Sequence, residues 1–560
     1  MPAPRGPILC VLLIATAMPA AAQFGPSADP CTLGTAQASL RGALVEAALF
    51  TNSNLFYGNQ TSAGYRVPTN EVGPNGAPPS PIYNAALWLG ALVGGEVRTA
   101  AARYAGFTFR PGQTGPDGTP PTPAECAEAD RIWTVTRDDV AAYLAGGPPT
   151  ADLAEWPVHL GAPVLDGDGI AGNYDLAAGD QPALRGDVTA FWAMTDTAVD
   201  LGGPDGLNPL GVDVTVEAFA FRTAPFWTET AYRYTITNRN AVPVDSAYAG
   251  FFLDPDLGNA GDDYLGTDTT AHMIYAYNGQ ETDTVYGVPP AVGVVVAEGP
   301  VGPPNGQDDD GDGEADEPGE RLGLTSSSWL NGSGPIDAPR SPPEVYNRLQ
   351  GLWNDGTPMR ARGEGYGYGR QSGAPITTFT FFGDPVTGEG WSEVNYDGEG
   401  PHYYHAGDRR GALSTGPFRL GPGESASVTF GIVFAQGTGH LNSIVRLRPR
   451  ARAFREAALA GQFDPVAVDG PPIEVPFSVR RPSPNPFAGA AAVEVRGAPP
   501  GTAVSVSVYD ALGRRVAGPE AVGPPGPSTV EVGRGLAPGV YLVRVAGFAF
   551  EEAFTVTKVR

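Results

Sequence analysis

Short runs of alternating apolar and polar residues, each cut off by glycine or proline, constrain this chain most. Val212, Val214, Val216 and Ala218 share one side of the run 212–221, and Tyr232, Tyr234 and Ile236 one side of 230–237. Val428, Phe430, Ile432 and Phe434 repeat the pattern between 425 and 435. A period of two marks a strand, because successive side chains point to opposite faces. Glycine (76) and proline (57) punctuate the runs; both disfavour helix interiors and central strands and suit turns. The pattern predicts an all-β chain, mainly antiparallel: a large β-sandwich-like body with long loops and few short helices. Hydrophobic residues make up 42% of the 560, enough for sizeable cores in several domains and too many for global disorder.

Residues 1–22 read as a signal peptide: Arg5, an apolar run over 8–17, then small residues at Ala20, Ala21 and Ala22 for cleavage. The run is too short to span a bilayer, and no later segment is long and apolar enough. Cys10 leaves with it. Cys31 and Cys126 remain, an even pair that fits either a disulfide or two separate thiols. Residues 23–145 read as an N-terminal β-rich unit. Within it, 40–50 fits helix or strand, 83–90 and 95–104 are strands joined by a glycine turn, 131–136 is a strand, and 138–143 a short helix. Residues 146–465 read as the main sandwich body, with a strand at 248–253 and the best helix candidate at 444–459, although Pro449 interrupts it. Residues 466–480, with Pro471, Pro472 and Pro476, form a linker.

The last unit, 481–560, alternates again. Val504, Val506 and Val508 face one way, and the strand at 540–545 is apolar on both faces, as in an immunoglobulin-like sandwich. Its markers are Pro484-Asn485-Pro486, the turn Tyr509-Asp-Ala-Leu-Gly-Arg514, Gly539-Val-Tyr541 and the basic end at Lys558. This ordered set resembles the type A C-terminal sorting domain of the type IX secretion system of Bacteroidota and related phyla. The resemblance implies a β-sandwich that directs export across the outer membrane and is commonly removed as the cargo is attached to the surface. It makes the secretion machinery a partner through 481–560, and the location secreted or cell-surface, by way of the periplasm. A second resemblance covers most of the cargo. Asp254-Pro-Asp-Leu-Gly-Asn259, Gly351-Leu-Trp-Asn-Asp-Gly356 and Gly416-Pro-Phe418 are similar to stretches of large surface-secreted proteins that carry the same sorting domain and have no assigned activity.

The net charge of −26 argues against nucleic-acid binding, which needs lysine and arginine against phosphates, and suits divalent cations. Carboxylates concentrate in loops. Asp308, Asp310, Asp312 and Asp316 occupy positions 1, 3, 5 and 9 of a calcium loop, Gly313 its turn position, and Glu314 the position that offers a backbone carbonyl. Position 12 is Gly319, with Glu320 one residue beyond. A second loop gathers Asp254, Asp256, Asn259, Asp262, Asp263 and Asp268, which would repel one another without a cation or basic partner. Asp166, Asp168, Asn173 and Asp175 form a weaker third group. The expected cofactor is therefore calcium.

His402 and His405 with Asp408 suggest zinc, but lack helical spacing and a third nitrogen or sulfur ligand. No Gly-x-Ser-x-Gly, His-Glu-x-x-His or Walker loop is present, and carboxylate pairs are too numerous to select a glycosidase pair. Trp353, Tyr366, Tyr368, Trp391, Tyr403 and Tyr404 fit a core better than a sugar platform. The expectation is an exported, calcium-stabilised protein with a structural, adhesive or ligand-binding role, its partner a surface glycan or other extracellular ligand. The alternative is a secreted hydrolase of extracellular polysaccharide or protein.

Overall fold

The computed structural model describes residues 31–560 except 58–63, 75, 105–107, 116–117, 198–208, 305, 307, 310–312, 367–372, 397–404, 469–477, 497–503, 523–527 and 547–550. The expected signal peptide lies outside the described residues. The fold is mostly antiparallel β, as the alternation predicts.

Two nine-stranded sheets build the body. At the centre of the first, strand Val244–Pro255 lies between Ile82–Val93 and Gly411–Leu420. At the centre of the second, Ser425–Gln436 lies between Thr230–Asn238 and Pro290–Glu298. The first sheet thus joins residues before 145 to residues after it. So does the second, where Trp133–Thr136 pairs with Val188–Thr195. Both stretches assigned to separate units contribute to one pair of sheets.

The core between the sheets includes Leu87, Leu89, Phe251 and Leu253 from one side, and Val214, Tyr232, Phe430 and Ile432 from the other. Alternation places these side chains inward and leaves their neighbours outward. Helices then cover the outer faces. Trp88 and Phe252 pack beneath helix Pro342–Leu349 through Val345 and Leu349. Val433 and Ala435 pack beneath helix His440–Leu459 through Ile444, Leu447, Ala451 and Phe454. That helix starts four residues earlier than the sequence suggests and runs through Pro449. An interior proline costs about 3 kcal/mol, and burying Phe454 and its neighbours at about 1.5–3 kcal/mol each outweighs it. The ambiguous 40–50 stretch is a hairpin of Gln37–Arg41 and Glu46–Phe50. Cys31 and Cys126 form a disulfide, with Cα atoms 5.9 Å apart.

Residues 478–560 form a smaller sandwich. A three-stranded sheet (Ser478–Ser483, Ala491–Arg496, Ser528–Val532) and a four-stranded sheet (Arg515–Val522, Val504–Asp510, Gly539–Ala546, Glu551–Lys558) enclose Phe487, Val493, Val506, Val508, Val530, Val543 and Val545. The strand expected to be apolar and buried on both faces buries one only: Val540 is 52% and Leu542 42% exposed. The quoted markers meet in space. Asn485 donates from Nδ2 to the Thr555 carbonyl (3.0 Å) and accepts from the Thr557 amide (2.8 Å). Lys558 Nζ donates to the Gly489 and Gly533 carbonyls and lies 5.6 Å from the Phe487 ring centroid. Asp510 closes its turn by accepting the Leu512 and Arg514 amides, both at 2.9 Å. Among the described residues, no helix is long and apolar enough to cross a membrane.

Candidate cation site

At one end of the first sheet, three neighbouring segments converge. Strand Val244–Pro255 brings Asp254, and Asp256 follows it directly. The segment leading into Gly411–Leu420 brings Asp408 and Arg410, and the chain just beyond strand Glu96–Ala101 brings Tyr104. Carboxylate oxygens of Asp254, Asp256 and Asp408 all lie within 4.8 Å of one another.

Asp254 is only 3% exposed. Tyr104 Oη donates to its Oδ2 at 2.7 Å. Its Oδ1 is buried without a hydrogen-bond partner, and Arg410 Nε lies 3.6 Å away. Another nitrogen of the same guanidinium donates to Asp408 Oδ2 at 2.5 Å, so Arg410 pairs with both carboxylates. Burial, with repulsion from Asp256 and Asp408, pushes the Asp254 carboxyl up to about 7, despite the Tyr104 bond and Arg410. Burial and Asp408 push Asp256 up to about 6. One arginine thus leaves the cluster undercompensated.

Tyr104 is held for this role. Its φ of +53° lies in the left-handed region, which a bulky side chain enters only under constraint. Two buried asparagines supply the constraint: Asn84 accepts the Tyr104 amide at 3.2 Å, and Asn54 donates to the Tyr104 carbonyl at 2.7 Å. Beside it stand Tyr57 and Tyr83, with ring centroids 5.4 Å apart and each within 6.4 Å of the Tyr104 ring. Burial first, then Tyr57 and the charges of Asp254 and Asp256, raise the Tyr83 phenol.

The other residues expected in this loop have contacts of their own, although Asp263 feels the charge of Asp256 and keeps Oδ1 buried without a hydrogen-bond partner. Asn259 accepts the Gly261 amide as the cap of a short helical turn. Asp262 accepts from Asn278 at 2.7 Å. Asp263 is fully buried and accepts the Leu257 amide, and burial raises it well above the carboxylate range. Asp268 caps the amides of Thr270 and Ala271 and pairs with Arg448 at 3.1 Å, so a basic partner takes the place of a cation there.

In the expected calcium loop, Asp310 and Asp312 lie outside the described residues. Three of the described carboxylates bond the loop's own backbone. Asp308 accepts the Gly313 amide, Asp316 the Gly306 amide, and Glu320 the amides of Asp309 and Asp316. Asp309, Asp316, Glu317 and Glu320 line a recess of about 30 Å³; Glu314 is not among its lining residues. Asp166 and Asp168 come together with Asp180, a residue outside the group that the sequence suggests. Asp180 accepts the amides of Gly167 and Asp175, and these bonds hold its carboxyl below the usual range. Asn173 bonds Asp168, and Asp175 caps the turn after it.

Asp408 therefore belongs with Asp254 and Asp256 rather than with a histidine pair; His402 lies outside the described residues. Trp353 and Trp391 are core residues, as expected, and Tyr366 packs against Trp353. Tyr368, Tyr403 and Tyr404 fall outside the described residues. Tyr57, Tyr83, Tyr104 and Arg410 escaped the sequence, since only strand pairing across 150 residues joins Tyr104 to Asp254.

No protein-family model and no curated protein matches the chain. Among solved structures, a polysaccharide lyase aligns at 10% identity and TM-score 0.23, over 93% of this chain and 47% of that one. The chain thus spans less than half that protein's length. The C-terminally truncated trimeric ectodomain of the C. elegans fusion protein EFF-1 aligns at 8% identity and TM-score 0.11, over 95% and 98%. Likenesses of this size carry no argument about fold or activity.

Proposed function

We propose that this chain is an exported surface protein whose body binds calcium at Asp254, Asp256 and Asp408 and uses that site to hold an extracellular ligand. The observation that carries the cation site is Asp254 Oδ1, buried without a hydrogen-bond partner beside two further carboxylates. A buried charge in that state is costly unless an ion or proton meets it. The donors are all hard oxygens on an irregular scaffold. Calcium accepts such a set, whereas magnesium demands near-ideal octahedral geometry. Three carboxylate oxygens within 4.8 Å of one another can converge on a single ion.

Arg410 competes with the ion, so the affinity belongs with extracellular modules, at about 10⁻⁴–10⁻³ M. At a hundredfold excess over Kd, calcium stabilises the body by about 2.7 kcal/mol. Asp256→Asn removes most of that gain, measured by calorimetry with calcium against chelator. Equal melting in both solutions would reject the site.

Export rests on the ordered sorting-domain markers in 481–560. Deleting 482–560 is expected to leave the protein in the periplasm; surface display of the shortened chain, followed by fractionation, would reject that assignment.

A further inference from the structure

We infer that Tyr57, Tyr83 and Tyr104, together with the calcium at Asp254, Asp256 and Asp408, form a binding site for a neutral saccharide presenting a vicinal diol. The inference rests on the proposed cation site and names what that site holds.

Calcium takes six to eight oxygen ligands. Three carboxylates giving one oxygen each would leave part of that shell to other oxygens, and Asp408 is exposed. Two adjacent hydroxyls on a sugar ring are hard oxygen donors at the spacing one ion accepts. The tyrosines supply the other half. All three are partly exposed, their rings contact one another edge-on or tilted, and Tyr104 bonds a cation ligand directly. An aromatic face beside convergent polar groups fits the apolar C–H face of a pyranose.

Charge selects the neutral class. The ion and Arg410 together offset the three carboxylates, so the occupied site needs no anionic ligand. The whole chain carries −26, which repels polyuronates at long range. The strained backbone of Tyr104, fixed by Asn54 and Asn84, keeps the platform in place before a ligand arrives.

The test is titration calorimetry on the full chain. Calcium is titrated first; then gluco-, manno- and galacto-oligosaccharides, with oligogalacturonate as the anionic comparison, are titrated with calcium and with chelator. The expected result is binding of at least one neutral oligosaccharide, weakened about tenfold or more by chelator and by Tyr83→Ala, while Tyr83→Ala still takes up calcium. Calcium uptake without any neutral saccharide binding overturns this inference and leaves the cation site standing. Absence of calcium uptake overturns both. Saccharide binding that survives chelator or Tyr83→Ala, or a preference for oligogalacturonate, overturns the inference as well.

Discussion

The body and the C-terminal sandwich solve the same problem with opposite chemistry. From residue 478 onward the chain has nine basic and six acidic residues, against −26 for the whole, so the excess of carboxylates belongs to the body. The body covers the outer faces of its sheets with helices and tucks acids into the loops at the sheet ends. The C-terminal unit leaves Leu512, Val540 and Leu542 exposed, and its ordered markers interlock through Asn485, Phe487 and Lys558. A surface rich in carboxylates suits solubility and hard cations; a small, open, mildly basic sandwich suits handling by another protein.

The disulfide offers the sharpest separation of the two. It joins residues 95 apart in the body, while the C-terminal unit has no cysteine. Closing a loop of that length stabilises by about 4–5 kcal/mol in the chain-entropy model. Reduction is expected to lower one calorimetric transition by that amount and leave a second unmoved. A single transition that shifts as a whole would mean that the two regions unfold together, and the contrast would fail.

The same contrast explains what could be foreseen. Alternation at Val428, Phe430, Ile432 and Phe434 gives strand and inward face directly, since both follow from local geometry. The C-terminal markers include a turn, Asp510 to Arg514, whose hydrogen bonds span four residues at most. The cation site has no local signature. Asp256 was identifiable as one acid in a crowded loop, but its partner Asp408 read as a companion of histidines, and Tyr104 as the end of a strand. Proximity in sequence groups Asp268 with the acidic loop, whereas its strand carries it to the arginines of helix His440–Leu459. In the 308–320 loop, Asp316 and Glu320 accept amides of their own loop, contacts that carboxylate spacing does not reveal.

A smaller effect separates the two regions by pH. Asp254 and Asp256 titrate at about 7 and about 6 in the folded chain, above the ordinary carboxylate value near 3.9. A raised folded value means that the native state holds protons the unfolded chain has lost. Their contribution is therefore complete below about pH 4 and disappears as pH rises through 7. In chelator the body's melting temperature should fall between pH 5 and pH 8, and calcium should remove much of that fall by favouring the ionised carboxylates. Asp196 and Glu393 also sit at about 7, so the difference between the parent and Asp254→Asn is the useful curve. It should be on the order of 2–4 kcal/mol at pH 8 in favour of the variant, vanishing near pH 4. Parallel curves would show that Asp254 is not the strained acid.

The smallest expected effect lies in the C-terminal unit, where the bonds are few and exposed. Asn485 brackets the last strand by donating to Thr555 and accepting from Thr557. Phe487 continues the same seam, its amide donating to the Thr557 carbonyl at 3.0 Å and its carbonyl accepting from Val559 at 2.9 Å. Replacing Asn485 with Ala removes two neutral hydrogen bonds whose partners reach water once freed. The loss should be about 1–2 kcal/mol, confined to the C-terminal transition and independent of calcium. Hydrogen exchange at the Thr557 amide reads it residue by residue, because opening that seam releases the strand end without disturbing Val543 or Val545 in the core. If the variant instead melted the body, or became calcium-dependent, the two regions would share a stability that their chemistry gives no reason to expect.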